Sequence, residues 1–240
     1  MTAKVNKDRF GINYDTSWAK TWWARGLRSV GVWGFMKPSI GVYGTPKVLG
    51  ADKLTKTNGP VVFVANHHSH SDTTILLATI PAKFRSRLSI AAGADYFFPN
   101  RFGSMLSALF IGAIPIDREK VSKLSISNAK KALESGDNLL IFPSGSRSPE
   151  GELTNHKPGA AFIAQKARVP IVPIYISGTG KVLPKGKNWP TKAQCHVVFG
   201  DPILSTRHDD PRQLAKEAQA SIERLAQSLS VVTSNELPGG

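Results

Sequence analysis

Cysteine is nearly missing from this chain: Cys195 is the only one in 240 residues. That excludes an internal disulfide and a zinc site built from paired cysteines, and it fits a reducing compartment. No uninterrupted apolar run approaches the roughly 20 residues of a membrane span, and no secretory h-region stands at the N-terminus. GxSxG is absent, so there is no nucleophile elbow. Ser177-Gly178-Thr179-Gly180-Lys181 lacks the first glycine of a P-loop. Zinc fingers, RNP motifs and basic leucine zippers are also absent, as are internal repeats and low-complexity linkers. Acidic residues are few, 17 Asp and Glu against 31 Lys and Arg.

What the chain does have is positive charge, a net +14, half of it within residues 1–60. This implies an anionic partner. Without a nucleic-acid motif, lipid and nucleotide phosphates come ahead of nucleic acid, which is not an expected partner. Apolar content of 41% and charged content of 20% are ordinary for a globular protein. The length suits one α/β domain, or a domain with a small extension.

The organising stretch is Val61-Val62-Phe63-Val64-Ala65-Asn66-His67-His68-Ser69-His70-Ser71-Asp72. Its apolar half reads as a short buried strand that stops at Asn66. Asp72 then opens an apolar run, Ile75-Leu76-Leu77-Ala78, that reads as a helix with Ser69 or Ser71 as N-cap. A histidine thus ends a strand, and a carboxylate stands five residues on in a first helical turn. Open α/β sheets place ligands at such strand ends. Neutral imidazole takes a proton near pH 7, and a carboxylate on the other ring N–H sets the tautomer and stabilises the imidazolium. His67 and Asp72 are therefore candidates for a general base and its orienting group. Two other readings stay open: Asp72 as a plain backbone cap, and a metal site of His67, His68 and His70.

Elsewhere the pattern predicts a helix over 17–35. Trp18, Trp22, Trp23, Leu27, Val30 and Trp33 share one half of it, and Lys20, Arg25 and Arg28 the other. Tryptophan opposite basic charge suits a membrane interface; packing of the tryptophans on the core is the other reading. Pro38 to Pro46 is expected to end that helix. Lys83, Arg85 and Arg87 alternate with Phe84, Ser86 and Leu88, as in a basic edge strand, a phosphate-facing surface or a solvated face. Strands are expected within 40–48, at 112–118, 138–142, 169–176 and 194–199, and helices at 121–135, 160–167 and 211–229. Phe142-Pro143-Ser144-Gly145-Ser146-Arg147-Ser148 follows a strand. Its small residues expose backbone N–H groups, and Arg147 offers a fork for phosphate. A neutral turn is the alternative for this loop, and a surface salt bridge is the plain reading of Asp117-Arg118.

Four of these stretches, in this order, resemble the glycerolipid acyltransferase family typified by 1-acylglycerol-3-phosphate acyltransferase. Asn66 to Asp72 looks like that family's NHxSxxD signature with its HxxxxD core. Gly112 to Arg118 looks like the second block, with its Ile-Asp-Arg ending. Phe142 to Ser148 looks like the third, usually FPEGTRS, and Val169 to Ile174 like the VPIVPV strand. Lys157 and Gly159 fit the Lys-x-Gly between the last two. The resemblance covers roughly residues 45–205. It departs at Ser144, where the family carries glutamate, and at Ser146, where it carries threonine. Serine is shorter and uncharged, so the ionic contact of a glutamate to the acceptor is missing.

The resemblance implies an α/β fold: a single domain with a mostly parallel or mixed sheet flanked by helices. An N-terminal amphipathic, membrane-associating segment (1–44) precedes an acyltransferase domain (45–230) and a flexible tail (231–240). It implies transfer of an acyl chain from acyl-CoA or acyl carrier protein to lysophosphatidic acid, with no cofactor and no metal. In that reading His67 and Asp72 are catalytic, and Arg118 and Arg147 hold the acceptor phosphate. Ser144, Gly145, Ser146 and Lys157 complete the substrate-binding set, with backbone N–H groups near Gly145 facing the oxyanion. The expected location is cytoplasmic, peripheral on the inner face of the cell membrane, against an anionic surface. Two further readings are a family member with another lysophospholipid or a glycolipid as acceptor, and a non-catalytic basic module that binds lipid or nucleic acid.

Overall fold

Short runs of Val, Ile and Leu, too brief for helices and bounded by Gly, Pro and Asn, collapse into a sheet buried on both faces. The computed structural model describes residues 11–117, 122–183 and 189–235. The strands are β1 (Pro46–Leu49), β2 (Val62–Ala65), β3 (Leu88–Gly93), β4 (Ala113–Ile116), β5 (Asn138–Ile141), β6 (Ile171–Ser177) and β7 (Cys195–Phe199). They lie in the order β1-β7-β6-β2-β5-β3-β4. All neighbours are parallel except β6 and β7, so the sheet is mixed. The helices before the β2 strand are α1 (Trp22–Gly31) and α2 (Lys37–Tyr43). Then come α3 (Ser71–Thr79), α4 (Ala82–Arg85), α5 (Ala94–Phe97), α6 (Arg101–Ile111) and α7 (Lys123–Glu134). The chain closes with α8 (Gly159–Ala167), α9 (Thr179–Val182) and α10 (Pro211–Asn235).

Alternation along each strand divides the core into two layers. Val62, Val64, Leu139 and Ile141 pack on one side with Ala129 and Leu133 of α7, Ala161 and Ala164 of α8, and Leu214, Ala218, Ile222, Leu225 and Leu229 of α10. Phe63, Ala65, Leu140, Val172 and Ile174 pack on the other with Ile75, Leu76 and Leu77 of α3 and Phe84 of α4. The five central and outer strands from β6 to β4 end at one edge of the sheet, and that edge carries the site.

Along the chain the structure differs from the sequence expectations in several places. Residues 88–93 form a strand buried along its whole length, which the sequence reading did not contain. Its Ala91-Ala92-Gly93 carries little β propensity, and pairing on both sides decides it. The alternating cations before it are neither an edge strand nor a phosphate surface. Lys83 Nζ donates to the carbonyls of Leu54, Thr55 and Thr57, and Arg85 to those of Ala78 and Ile80. Pro38 does not end the N-terminal helix, because a π turn over Val32–Met36 precedes it, with Lys37 N–H donating to Val32 O. The wider turn carries the chain past the missing Pro38 donor. The C-terminal helix continues past Leu229 to Asn235.

The N-terminal helix docks through its polar face. Asp137, 1% exposed, meets Arg25 at 2.6 Å, Lys20 at 3.4 Å and Arg87 at 3.5 Å. Arg28 Nε donates to Leu109 O (2.8 Å), and Nη2 to Ala108 O and Ala19 O (2.9 Å each), which satisfies carbonyls at the α6 C-terminus. Burial pulls the Arg28 guanidinium down to about 10, still cationic at neutral pH. Gly112 makes room for it: at φ +67°, a Cβ there would lie 2.9 Å from Arg28 Nη1. The tryptophan face therefore looks outward, with Trp22 85%, Val30 70% and Trp33 51% exposed. The reading that packs these side chains on the core is overturned.

Asp137→Ala leaves two part-buried cations without their carboxylate. Breaking such a pair costs about 3 kcal/mol at the lower end of the buried range, since Lys20 and Arg25 keep contact with water. Urea denaturation is expected to show that loss, and limited proteolysis to cut first within 17–43.

Candidate active site

The strand β2 ends at Ala65, and the Asn66 side chain prolongs its ladder by one step. Asn66 Oδ1 accepts from Ile176 N–H (2.8 Å), and Nδ2–H donates to Ile176 O (2.7 Å). This pairing identifies the amide nitrogen, whose second hydrogen goes to His68 Nε2 (2.7 Å). His68 therefore carries its proton on Nδ1 and donates to Ser148 Oγ (3.2 Å), which donates in turn to Glu152 O (2.8 Å). His68 is a buried strut between the turn and the third-block loop.

Asp72 is completely buried. Its Oδ2 accepts from His67 Nδ1–H (2.7 Å), His68 N–H (2.7 Å) and Ser69 N–H (2.9 Å). Capping and orientation are one arrangement, not alternatives. The position before the helix falls at His70, so neither Ser69 nor Ser71 is the N-cap. Ser69 Oγ instead accepts from Ser71 within the turn. The His67 ring stacks on Phe142, with centroids 4.1 Å apart. With Nδ1–H held by Asp72, the Nε2 lone pair is the atom that can take a proton.

The three histidines do not converge on one point. His67 is on Asp72, His68 on Asn66 and Ser148, and His70 stacks on Tyr96 with centroids 5.8 Å apart. Among the described residues no group of His, Cys, Asp and Glu is arranged to hold a metal ion.

His67 opens on a cavity of about 390 Å³, within the usual range of ligand sites. Its apolar wall includes Ile90, Ile126, Ile141 and Ile163; its polar wall includes His67, His70, Gly145, Ser146, Arg147 and Lys157. Ser144 is not in the wall, and its Oγ donates to Ser146 O (2.8 Å) inside the loop. Arg118 lies outside the described residues. Asp117 beside it lines the cavity, with its N–H donating to Ser125 Oγ (2.8 Å).

The third-block loop is moored at several points. Ser148 N–H donates to His67 O (2.9 Å), Lys157 N–H to Pro143 O (3.1 Å), and the Glu150 carboxylate accepts from Gly178 N–H and Gly180 N–H, 2.7 Å each. Gly180 needs its missing side chain, because a Cβ would lie 2.6 Å from Glu150 Oε2. Asn66, Tyr96, Ser148 and Glu150 were not singled out by sequence reasoning for these contacts. The Glu150 partners lie 28 and 30 residues away, so no local pattern marks it. Burial pushes the Cys195 thiol up to about 12, which makes it a poor nucleophile.

Fold and site together define an α/β protein in which a buried aspartate holds a histidine in one tautomer at the strand ends, beside a cavity. A family model described as Acyltransferase matches residues 46–177, and the chain belongs to that family. It is similar to "1-acyl-sn-glycerol-3-phosphate acyltransferase BAT2, chloroplastic" of Brassica napus, 29% identical over 94% of this chain and 59% of that protein. It is similar also to the 1-acyl-sn-glycerol-3-phosphate acyltransferase of Bacillus subtilis (strain 168), 29% identical over 70% of this chain and 78% of that one. The chain spans 41–59% of the length of the plant and algal relatives. In fold it matches the crystal structure of the 1-acyl-sn-glycerophosphate (LPA) acyltransferase PlsC from Thermotoga maritima. The TM-score is 0.68 at 21% identity, over 90% of this chain and 83% of that one.

His67→Ala is expected to lower acyl-transfer turnover roughly 10²–10⁴-fold, the range of general base catalysis, with the fold retained. Asp72→Asn is expected to impair turnover through the wrong tautomer and to cost stability as well, since the same oxygen closes the turn. Steady-state kinetics beside thermal melts separates the two effects. Near-normal turnover of His67→Ala would remove His67 from the chemistry.

Proposed function

We propose that the protein moves a fatty acyl chain from an acyl thioester, acyl-CoA or acyl carrier protein, to the free hydroxyl of 1-acylglycerol-3-phosphate, giving phosphatidic acid. The observation that carries this reading is the His67–Asp72 pair opening on a cavity with one apolar wall and Arg147 and Lys157 in its polar wall. The names of the relatives support the acceptor. His67 Nε2 takes the hydroxyl proton as the oxygen attacks the thioester carbon, and Asp72 stabilises the imidazolium. The tetrahedral intermediate collapses, the C–S bond breaks, and the thiolate leaves with the proton from His67. The Gly145 N–H is spent on Phe142 O (3.1 Å), so the oxyanion is left to neighbouring backbone N–H groups of that loop, and Arg147 with Arg118 holds the phosphate. This sequence needs no acyl-enzyme.

Ser144 favours a second reading, a different lysophospholipid or a glycolipid as acceptor. An acceptor panel decides between them. On the first reading lysophosphatidate has the highest kcat/KM, and Arg147→Ala raises its KM roughly ten- to hundredfold, from the loss of a hydrogen bond to a charged group. Arg147→Lys recovers only part, lacking the planar fork. A higher kcat/KM for another acceptor selects the second reading. Absence of thioester consumption with every acceptor leaves a non-catalytic binding module.

We propose further that the exposed face of Trp22, Leu27, Val30, Trp33 and Phe35 rests on a membrane surface. No helix among the described residues is long and apolar enough to cross one. Lys20, Arg25 and Arg28 are engaged with Asp137 and the α6 carbonyls, so apolar burial supplies most of the attraction. Co-sedimentation with anionic vesicles is expected to survive high salt and to be lost in a Trp22→Asp, Val30→Asp double variant. Binding abolished by salt alone would instead assign the attraction to basic residues.

A further inference from the structure

The HxxxxD turn carries a third histidine that the mechanism above leaves unused. His70 follows His67 by three residues and lines the same cavity as His67 and Arg147. Unlike His67 and His68, it has no ring-nitrogen hydrogen bond among the described residues. Tyr96 covers one face of the ring, so the edge with both nitrogens remains for a ligand. We propose that His70 is a specificity-determining residue that seats the acceptor's phosphate monoester together with Arg147. This inference rests on the acyl-transfer reading above.

The charge balance supports it. A phosphate monoester carries up to two negative charges near neutral pH, since its second pKa is about 6. Arg147 and, on the reading above, Arg118 supply positive charge, Lys157 lines the same cavity, and Ser144 contributes none, so a protonated His70 adds a further N–H donor on the Arg147 side. The groups acting on His70 are Arg147, His67 and Asp72. Partial burial comes first, then the Arg147 charge and His67; together they hold the imidazole below its ordinary range, and Asp72 opposes them. In the resting site His70 is therefore mostly neutral at pH 7. A phosphate beside Arg147 reverses that repulsion, so the imidazole takes up a proton and donates an N–H to a phosphate oxygen. By linkage the added affinity is complete below the resting pKa and is lost as pH rises through the higher pKa of the complex.

The test is the acceptor KM of the full-length protein with a short-chain lysophosphatidate from about pH 5.5 to about pH 8.5, for wild type, His70→Gln and His70→Lys. Glutamine keeps hydrogen bonding without a titrating charge, and lysine keeps the charge throughout. The KM of His70→Gln is expected to exceed wild type by roughly five- to tenfold at the acid end, discounted for the exposure of the ring, and to converge with it at the alkaline end. His70→Lys is expected to keep the KM low across the range. Monoacylglycerol, which lacks the phosphate, is expected to show no pH-dependent ratio. A ratio flat with pH overturns the proposal. So does a uniform loss of kcat with KM unchanged, which would make His70 a support for the His67–Asp72 pair. If the wild type acylates no phosphorylated lysolipid at any pH, the underlying reading fails, not the assignment of His70 within it.

Discussion

The Asp72 carboxylate sits where water does not reach, and one of its oxygens gathers three N–H groups: the imidazole of His67 and the backbones of His68 and Ser69. An ionised carboxylate in such a place is tolerable only because donors converge on it. The same convergence turns the chain from β2 into α3. The contact that shapes the turn is thus the contact that aims the His67 ring. Phe142 stacks on the free side of the ring and His68 ties the turn to Ser148, so His67 is held before any substrate arrives. Preorganisation of this kind avoids reordering the site during the reaction.

Around that turn the parallel strands bring together segments far apart in the chain. β2, β3, β4 and β5 end at one edge, and the loops that follow them bring His67, Tyr96, Asp117 and Arg147 into one wall. Two 2.7 Å hydrogen bonds from Gly178 and Gly180 to Glu150 hold the Arg147 loop against the turn after β6. Helices α7 and α8 pack on the same face of the sheet as Ile141 and Ala91, and their Ile126 and Ile163 join Ile90 and Ile141 of the strands on the apolar side of the cavity. An apolar chamber next to a cationic rim suits a molecule with a hydrocarbon end and an anionic end.

The N-terminal helix inverts the common arrangement of an amphipathic helix on a domain. Its charged face is inward, because Asp137 and the terminal carbonyls of α6 offer partners that water would otherwise have to replace. Its aromatic face is left outward as an apolar surface that a monomeric soluble protein rarely maintains without use.

Local pattern determined much of this protein. Apolar runs bounded by Gly, Pro and Asn marked most strands, and the spacing of Leu214, Ala218, Ile222, Leu225 and Leu229 marked the face that α10 buries. The five-residue interval from His67 to Asp72 marked the site, since a strand end followed by a first helical turn brings those two side chains within one hydrogen bond. Tertiary structure decided the rest. β3 owes its form to partners on both sides and not to the low β propensity of Ala91-Ala92-Gly93. Lys83, Arg85 and Arg87 were legible as charge but not as donors to loop and helix-end carbonyls and to Asp137. Helical periodicity separated tryptophan from basic residues without saying which half faced inward. Amphipathicity is a property of one helix, whereas the inward face depends on a buried carboxylate more than a hundred residues away.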